Sequence, residues 1–256
     1  MTMDNIELFL IICVSMFLVG VIDSVAGGGG LISLPVFLMA GLPPRTAFGT
    51  NKVMAFTGSS IASYRYYKQG YFDFKSALTL TISIIAGELA GTGIIYIIPE
   101  RAIEGFLSVM LPAVALFTVF SKKTFNYSLK EIDSGSGREK RLLLVLGLVI
   151  GLYAGTIGAA GATIGMMLLC GFVHYDVRTA NGTLKFAMAA GCVSGLVFYI
   201  INGDVNWSLA VPSVVCNMAG NYFGSGLAAE KGAKIVRPAA LIVVCVYAVK
   251  TLISFI

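Results

Sequence analysis

The sequence predicts an all-α polytopic membrane protein: an inverted-topology repeat with about five transmembrane or re-entrant segments in each half. Three observations carry this. Hydrophobic residues fill 57% of the 256 positions and charged residues only 12%, at a mean hydropathy of +0.87, which is more apolar than a soluble core requires. Two long stretches flanking one hydrophilic loop resemble each other. Equivalent loops in those stretches carry opposite charge bias.

Apolar stretches run over 6–41, 46–64, 76–98, 105–120, 142–173, 180–202, 205–229 and 238–256. The first lacks the basic leader and cleavage site of a signal peptide, so it is expected to stay in the mature protein. The hydrophilic loop, 121–141, contains "DSGSG" and reads as a flexible linker between a first membrane repeat, 1–120, and a second, 142–256.

The repeat is legible residue by residue. "RTAFGTNKV" from Arg45 returns as "RTANGTLKF" from Arg178, with six of nine residues identical. The same spacing pairs Gly70 with Gly203 and "AGELAGTG" from Ala86 with "AGNYFGSG" from Ala219. At a spacing shorter by two, Gly20, Gly27 and Gly30 meet Gly151, Gly158 and Gly161. Internal symmetry of this kind belongs to secondary transporters.

Loop charge sets the relation between the halves. The loop with Arg65, Lys68, Asp73 and Lys75 corresponds to one carrying only Asp204, whereas Glu100, Arg101 and Glu104 correspond to a region with Glu230, Lys231, Lys234 and Arg237. The positive-inside rule then places equivalent loops on opposite sides of the membrane. Inversion needs an odd number of passes per half. The stretches 6–41 and 142–173 are too long for one span of about 20 residues and too short for two, and each has a glycine break. Each is expected to form two short helices meeting at a glycine-rich tip, either spanning or re-entrant. The central loop is then cytoplasmic and both termini outside, in an integral plasma (inner) membrane protein. Tyr64, Tyr66, Tyr67, Tyr71, Phe72 and Trp207 suit interfacial belts.

Composition also limits the chemistry. The net charge of +5 lies mostly in short loops and calls for no nucleic-acid partner. Cys13, Cys170, Cys192, Cys216 and Cys245 sit in apolar segments with no metal or disulfide spacing, and read as packing residues. One histidine, His174, builds neither a metal site nor a catalytic triad, so no cofactor, metal or enzymatic activity is expected.

What remains is a candidate anion site. Irregular backbone at membrane depth is tolerated where it is buried in protein or lines a wet cavity, and a helix starting at such a break turns N–H groups toward an anion. Gly28, Gly29 and Gly30 in the first half, with Gly158 and Gly161 in the second, are the candidate backbone contacts. Lys52 and Lys185 each lie seven residues past their arginine, about 10 Å into a helix, where a lysine needs a partner or water. Thr50, Thr183 and Asn51 are candidate hydrogen-bonding partners, as are Asn217 and Asn221. Asp23 and Glu88 have no acidic counterpart in the second half, which has Ala154 and Asn221. Either acid is a candidate for pairing with a lysine or carrying a coupled proton, and Asp23 equally for capping the glycine break.

The glycine tip leading into proline and "RTAFGTNK", followed by the degenerate copy "GAAGATIGMMLLCGFVHYDVRTANGTLK", resembles the sulfite exporter TauE/SafE family of membrane permeases over nearly the whole chain. Ala159 and Ala160 replace two glycines in the second copy. The resemblance implies transport of small sulfur-containing anions such as sulfite or organosulfonates. The expected function is therefore a secondary transporter, exporting by alternating access. An anion channel and proton-coupled uptake of a sulfonate or carboxylate are the alternatives. The expected partners are a small anion and the lipid bilayer, with a homo-oligomer left open.

Overall fold

The structure, a computed structural model, describes residues 5–103, 105–107, 109–110, 113 and 136–231. Both chain ends, most of the expected segment 105–120, most of the central loop and the segment 238–256 lie outside the described residues. The described chain is helical, without strands.

Helix α1, Asn5–Ala26, ends where Gly27 turns to a φ of 75°. Three residues on, α2, Gly30–Met39, runs back with Pro35 inside it. Proline at the first position opens α3, Pro44–Lys68, where its missing N–H loses nothing. The Asp73 carboxylate accepts from the Lys75 and Ser76 amides to cap α4, Phe74–Ile97. In the second half, α5, Gly137–Thr156, is capped by Ser136. It therefore begins within the stretch expected to be linker, because Ser136 and Glu139 stand at capping-box spacing. Helix α6, Gly161–Leu168, runs into a π-helical turn, Leu169–Val173, that His174 ends at a φ of 62°. Asp176 caps α7, Val177–Ile201, and Asn206 accepts from Leu209 at the start of α8, Trp207–Lys231.

Among the described residues three stretches are long and apolar enough to cross a membrane: Phe9–Ala26, Phe74–Ile97 and Val177–Ile201. Gly30–Met39 and Gly161–Val173 are apolar but shorter. Helices α3 and α8, expected as apolar spans, are long enough but carry polar residues inside the bundle, including Thr50, Asn51, Lys52, Ser59, Asn217 and Asn221. Large apolar side chains face outward instead, among them Val14, Leu18, Ile82, Val145, Val197 and Val215. Polar inside and apolar outside suits a hydrocarbon solvent.

The packing repeats at the sequence spacing. Helix α1 lies on α8 and α4 on α5, through small residues: Gly20 faces the Asn217 and Asn221 backbone, and its counterpart Gly151 faces Ile84 and Glu88. Helices α3 and α7 pack antiparallel. The end of α3 meets the start of α7, where the Tyr66 hydroxyl accepts from Asn181 at 3.0 Å. The start of α3 meets the turn after α7, where Thr50 Oγ1 accepts from the Asn206 amide at 3.1 Å. The matching bond, from the Asp73 amide to Thr183 Oγ1, is also 3.1 Å.

The two ends of the bundle differ chemically. Beside the start of α5, the Tyr175 hydroxyl lies 2.6 Å from Ser76 Oγ and donates toward the Glu139 and Asp73 carboxylates at 2.6 and 3.2 Å. Burial, and next the bond to Glu139, hold this loop phenol above its ordinary pKa range, so it keeps its proton. Nearby, Arg178 donates to the Tyr71 hydroxyl. At the opposite end the Tyr96 hydroxyl donates to Asp204 at 2.7 Å and Arg45 donates to the Ile98 carbonyl at 2.8 Å.

Candidate functional site

The two glycine breaks meet. Gly27 and Gly158 adopt φ of 75° and 67°, a region that favours glycine, and so turn the chain back at equivalent points. A Cβ on Gly27 would lie 2.6 Å from the Ala162 carbonyl carbon and the Thr163 amide, and one on Gly30 would lie 2.9 Å from Ala159 Cα. Thr163 Oγ1 fastens the tips by donating to the Ala26 carbonyl at 2.6 Å.

Beside this junction is a cavity of about 50 Å³, enough for a few water-sized positions. Of the sequence candidates, Asp23, Gly29, Gly30, Asn51, Lys52, Gly158, Gly161 and Lys185 line it, as does Asn217. Gly28, Thr50, Thr183 and Glu88 do not. The Gly28 carbonyl accepts from Leu31 at 3.1 Å, inside the turn. Thr50 and Thr183 point to the opposite ends of the bundle and hold the amides of Asn206 and Asp73, so their place is between elements rather than at the cavity.

Both lysines are buried, Lys52 at 3% exposure and Lys185 at 1%. Lys52 pairs with the buried Glu88 of α4 and donates to the Ala154 carbonyl at 3.1 Å. Lys185 pairs with Asp23 Oδ2 at 2.5 Å, and Asp23 Oδ1 accepts from the Gly29 amide at 3.1 Å. Asp23 thus caps the break with one oxygen and answers a lysine with the other. Ala154 occupies the position equivalent to Asp23, so each lysine reaches toward the same point of the other half: a carboxylate in one case, a carbonyl in the other.

Ser59, Met188 and Cys192 also line the cavity, although the sequence does not single them out as ligand contacts. Ser59 and Cys192 each follow their lysine by seven residues, two helical turns along the same face, and that spacing is the signal that could find them. Asn51 accepts from Ser33 of α2 at 2.6 Å, tying the lysine helix to the tip helix. Among the described residues no group of three or more His, Cys, Asp or Glu side chains gathers as a metal site.

A family model described as sulfite exporter TauE/SafE matches residues 12–251. The chain is 31% identical to a probable membrane transporter protein, ORF9, of a Sinorhizobium species, covering 96% of this chain and 93% of that one. It is 28% identical to the probable membrane transporter protein YfcA of Escherichia coli K12, over 92% and 86% of the two chains. A TauE/SafE family protein of Arabidopsis thaliana, number 6, is 23% identical over 48% of this chain and 29% of its own. No solved structure matches significantly. A match of that extent, on a bundle with apolar membrane-length helices, makes the chain an integral membrane protein that belongs to the sulfite exporter TauE/SafE family of transporters.

Proposed function

We propose that the protein is a secondary transporter for a small sulfur-containing anion, such as sulfite or an organosulfonate, bound in the cavity between the two glycine tips. One observation carries this reading. Lys52 and Lys185, on equivalent antiparallel helices, are both buried and both line the cavity that the two tips reach. Lysines and helix N-termini hold an oxyanion by charge-assisted hydrogen bonds, and a buried cation at membrane depth marks a transport path. The family description supports sulfur as the central atom.

The matched contacts of α3 and α7 support an inverted repeat in which one half rocks against the other about the site. The basic loop at Arg65, Lys68 and Lys75 and the central loop then face the cytoplasm. Direction follows from the charge carried. An anion moving alone leaves the cell, favoured by about 2.3 kcal/mol per charge per 100 mV, whereas an anion moving with a proton follows the proton and substrate gradients.

The test is thermal stabilisation of the purified protein by sulfite, thiosulfate and methanesulfonate against chloride, phosphate and carboxylates at matched ionic strength. One sulfur anion is expected to stabilise selectively, and Lys52→Ala and Lys185→Ala are each expected to weaken that anion at least tenfold, a loss of about 1.4 kcal/mol. Unchanged affinity in both variants would remove the site.

A further inference from the structure

The cavity carries no spare charge. Lys52 and Lys185 are matched by Glu88 and Asp23. The two acids are not equivalent. Glu88 is 1% exposed at its side chain, lies outside the cavity lining and is overlaid by α7, where a Cβ on Gly195 would stand 3.1 Å from Oε1. Asp23 lines the cavity and its side chain is 17% exposed.

Asp23 also occupies the place an anion would take. Its carboxylate accepts from a buried lysine through Oδ2 and from the backbone N–H of Gly29, next to the start of α2, through Oδ1. These are the two kinds of donor that recognise a small oxyanion. Resting on the reading of the cavity as an anion site, we propose that Asp23 is a tethered stand-in for the substrate. The entering anion takes Lys185 and the Gly29 amide, and the displaced carboxylate takes one proton from a buffer acid or hydronium in solution.

The proton follows from what surrounds Asp23. Helix α7 presents Lys185 and the Cys192 thiol, and α3 presents Lys52 and the Tyr66 phenol. Helix α8 contributes neutral Asn217, and the second tip contributes glycine and alanine. Once Lys185 holds the ligand, the remaining cation is Lys52, already paired with Glu88 and bonded to the Ala154 carbonyl. An ionised Asp23 beside a bound anion would leave an uncompensated charge at membrane depth. Protonation removes it: one O–H bond forms on the carboxyl group, the acid in solution that gives the proton becomes its conjugate base, and the cavity stays neutral with a monoanion bound. Because Ala154 holds the equivalent position, the second half offers no matching acid, and the ratio is one proton for each anion. Such a carrier moves a monoanion without net charge.

The test is calorimetric titration of the purified protein with methanesulfonate and ethanesulfonate, both monoanions near neutral pH, in two buffers of different ionisation enthalpy. The wild type is expected to take up one proton per anion. Asp23→Asn is expected to bind at least tenfold more tightly and to take up none. Binding to the wild type without proton uptake overturns the proposal and leaves the anion site standing. Failure of both anions to bind the wild type overturns the sulfur-anion site and the proposal together. If Asp23→Asn does not fold, the wild-type proton count decides alone.

Discussion

Gly27 and Gly41 share a left-handed backbone, at φ of 75° and 85°, but a Cβ on Gly41 would meet nothing within 4 Å, while Gly27 abuts the backbone of the second tip. Gly41→Ala is expected to cost only the conformational penalty, about 1–2 kcal/mol, whereas Gly27→Ala adds a backbone clash and must part the two tips. Thermal melts in detergent compare them directly, and equal losses would show that the tips do not depend on close contact. Asp23 is instructive at the same scale. Its place in the sequence, beside a glycine break, leaves capping, charge pairing and proton coupling open; the structure shows a bond of each of the first two kinds, because a carboxylate has two oxygens and the turn brings Gly29 to one and Lys185 to the other. No short-range pattern reveals that, since Lys185 is 162 residues away.

Between elements, the Lys52–Glu88 pair joins α3 to α4 inside the bundle. Removing one member of a buried pair leaves a bare charge and typically costs about 3–5 kcal/mol, while replacing both with apolar groups of similar size is often neutral. Glu88→Leu is therefore expected to lower the melting temperature sharply, and Lys52→Met with Glu88→Leu to regain most of it. A double variant as unstable as the single would mean that Glu88 stabilises through packing instead. Element boundaries are readable where a cap announces them, as at Asp73, Asp176 and the Ser136–Glu139 box, although the flexible composition beside the last one masks it. Thr50 and Thr183 read as ligand contacts for a related reason. Their position close to a lysine suggests the cavity, but two residues along a helix turn about 200°, so Thr50 and Thr183 face away from Lys52 and Lys185.

For the whole molecule, the proposed inversion has a direct consequence: Gln69 and Asn202 stand at equivalent exposed turns, yet are expected to open to opposite sides of the membrane. In a background lacking Cys13, Cys170, Cys192, Cys216 and Cys245, a membrane-impermeant thiol reagent is expected to label Asn202→Cys in intact cells and Gln69→Cys only after permeabilisation. Labelling of both from one side would exclude inversion. The all-helical class is legible from composition, and the matched packing of the two halves from a few repeated polar and glycine positions, because positions pressed against backbone tolerate little change. Gly20 and Gly151, each pressed against its partner helix, are such positions. The depth of the cavity and the division of labour between the two acids are not legible, since they depend on how distant helices cross.

Among the described residues the polar knot of Tyr175, Ser76, Asp73 and Glu139 has no replica at the other end, where the positions corresponding to the first three are Leu42, Leu209 and Asn206. A carrier whose halves were true copies would spend equal time facing each compartment. If the halves rock as proposed, the end laced by a phenol and two carboxylates and the end held by different bonds would open at different cost, and the empty carrier would wait in one orientation.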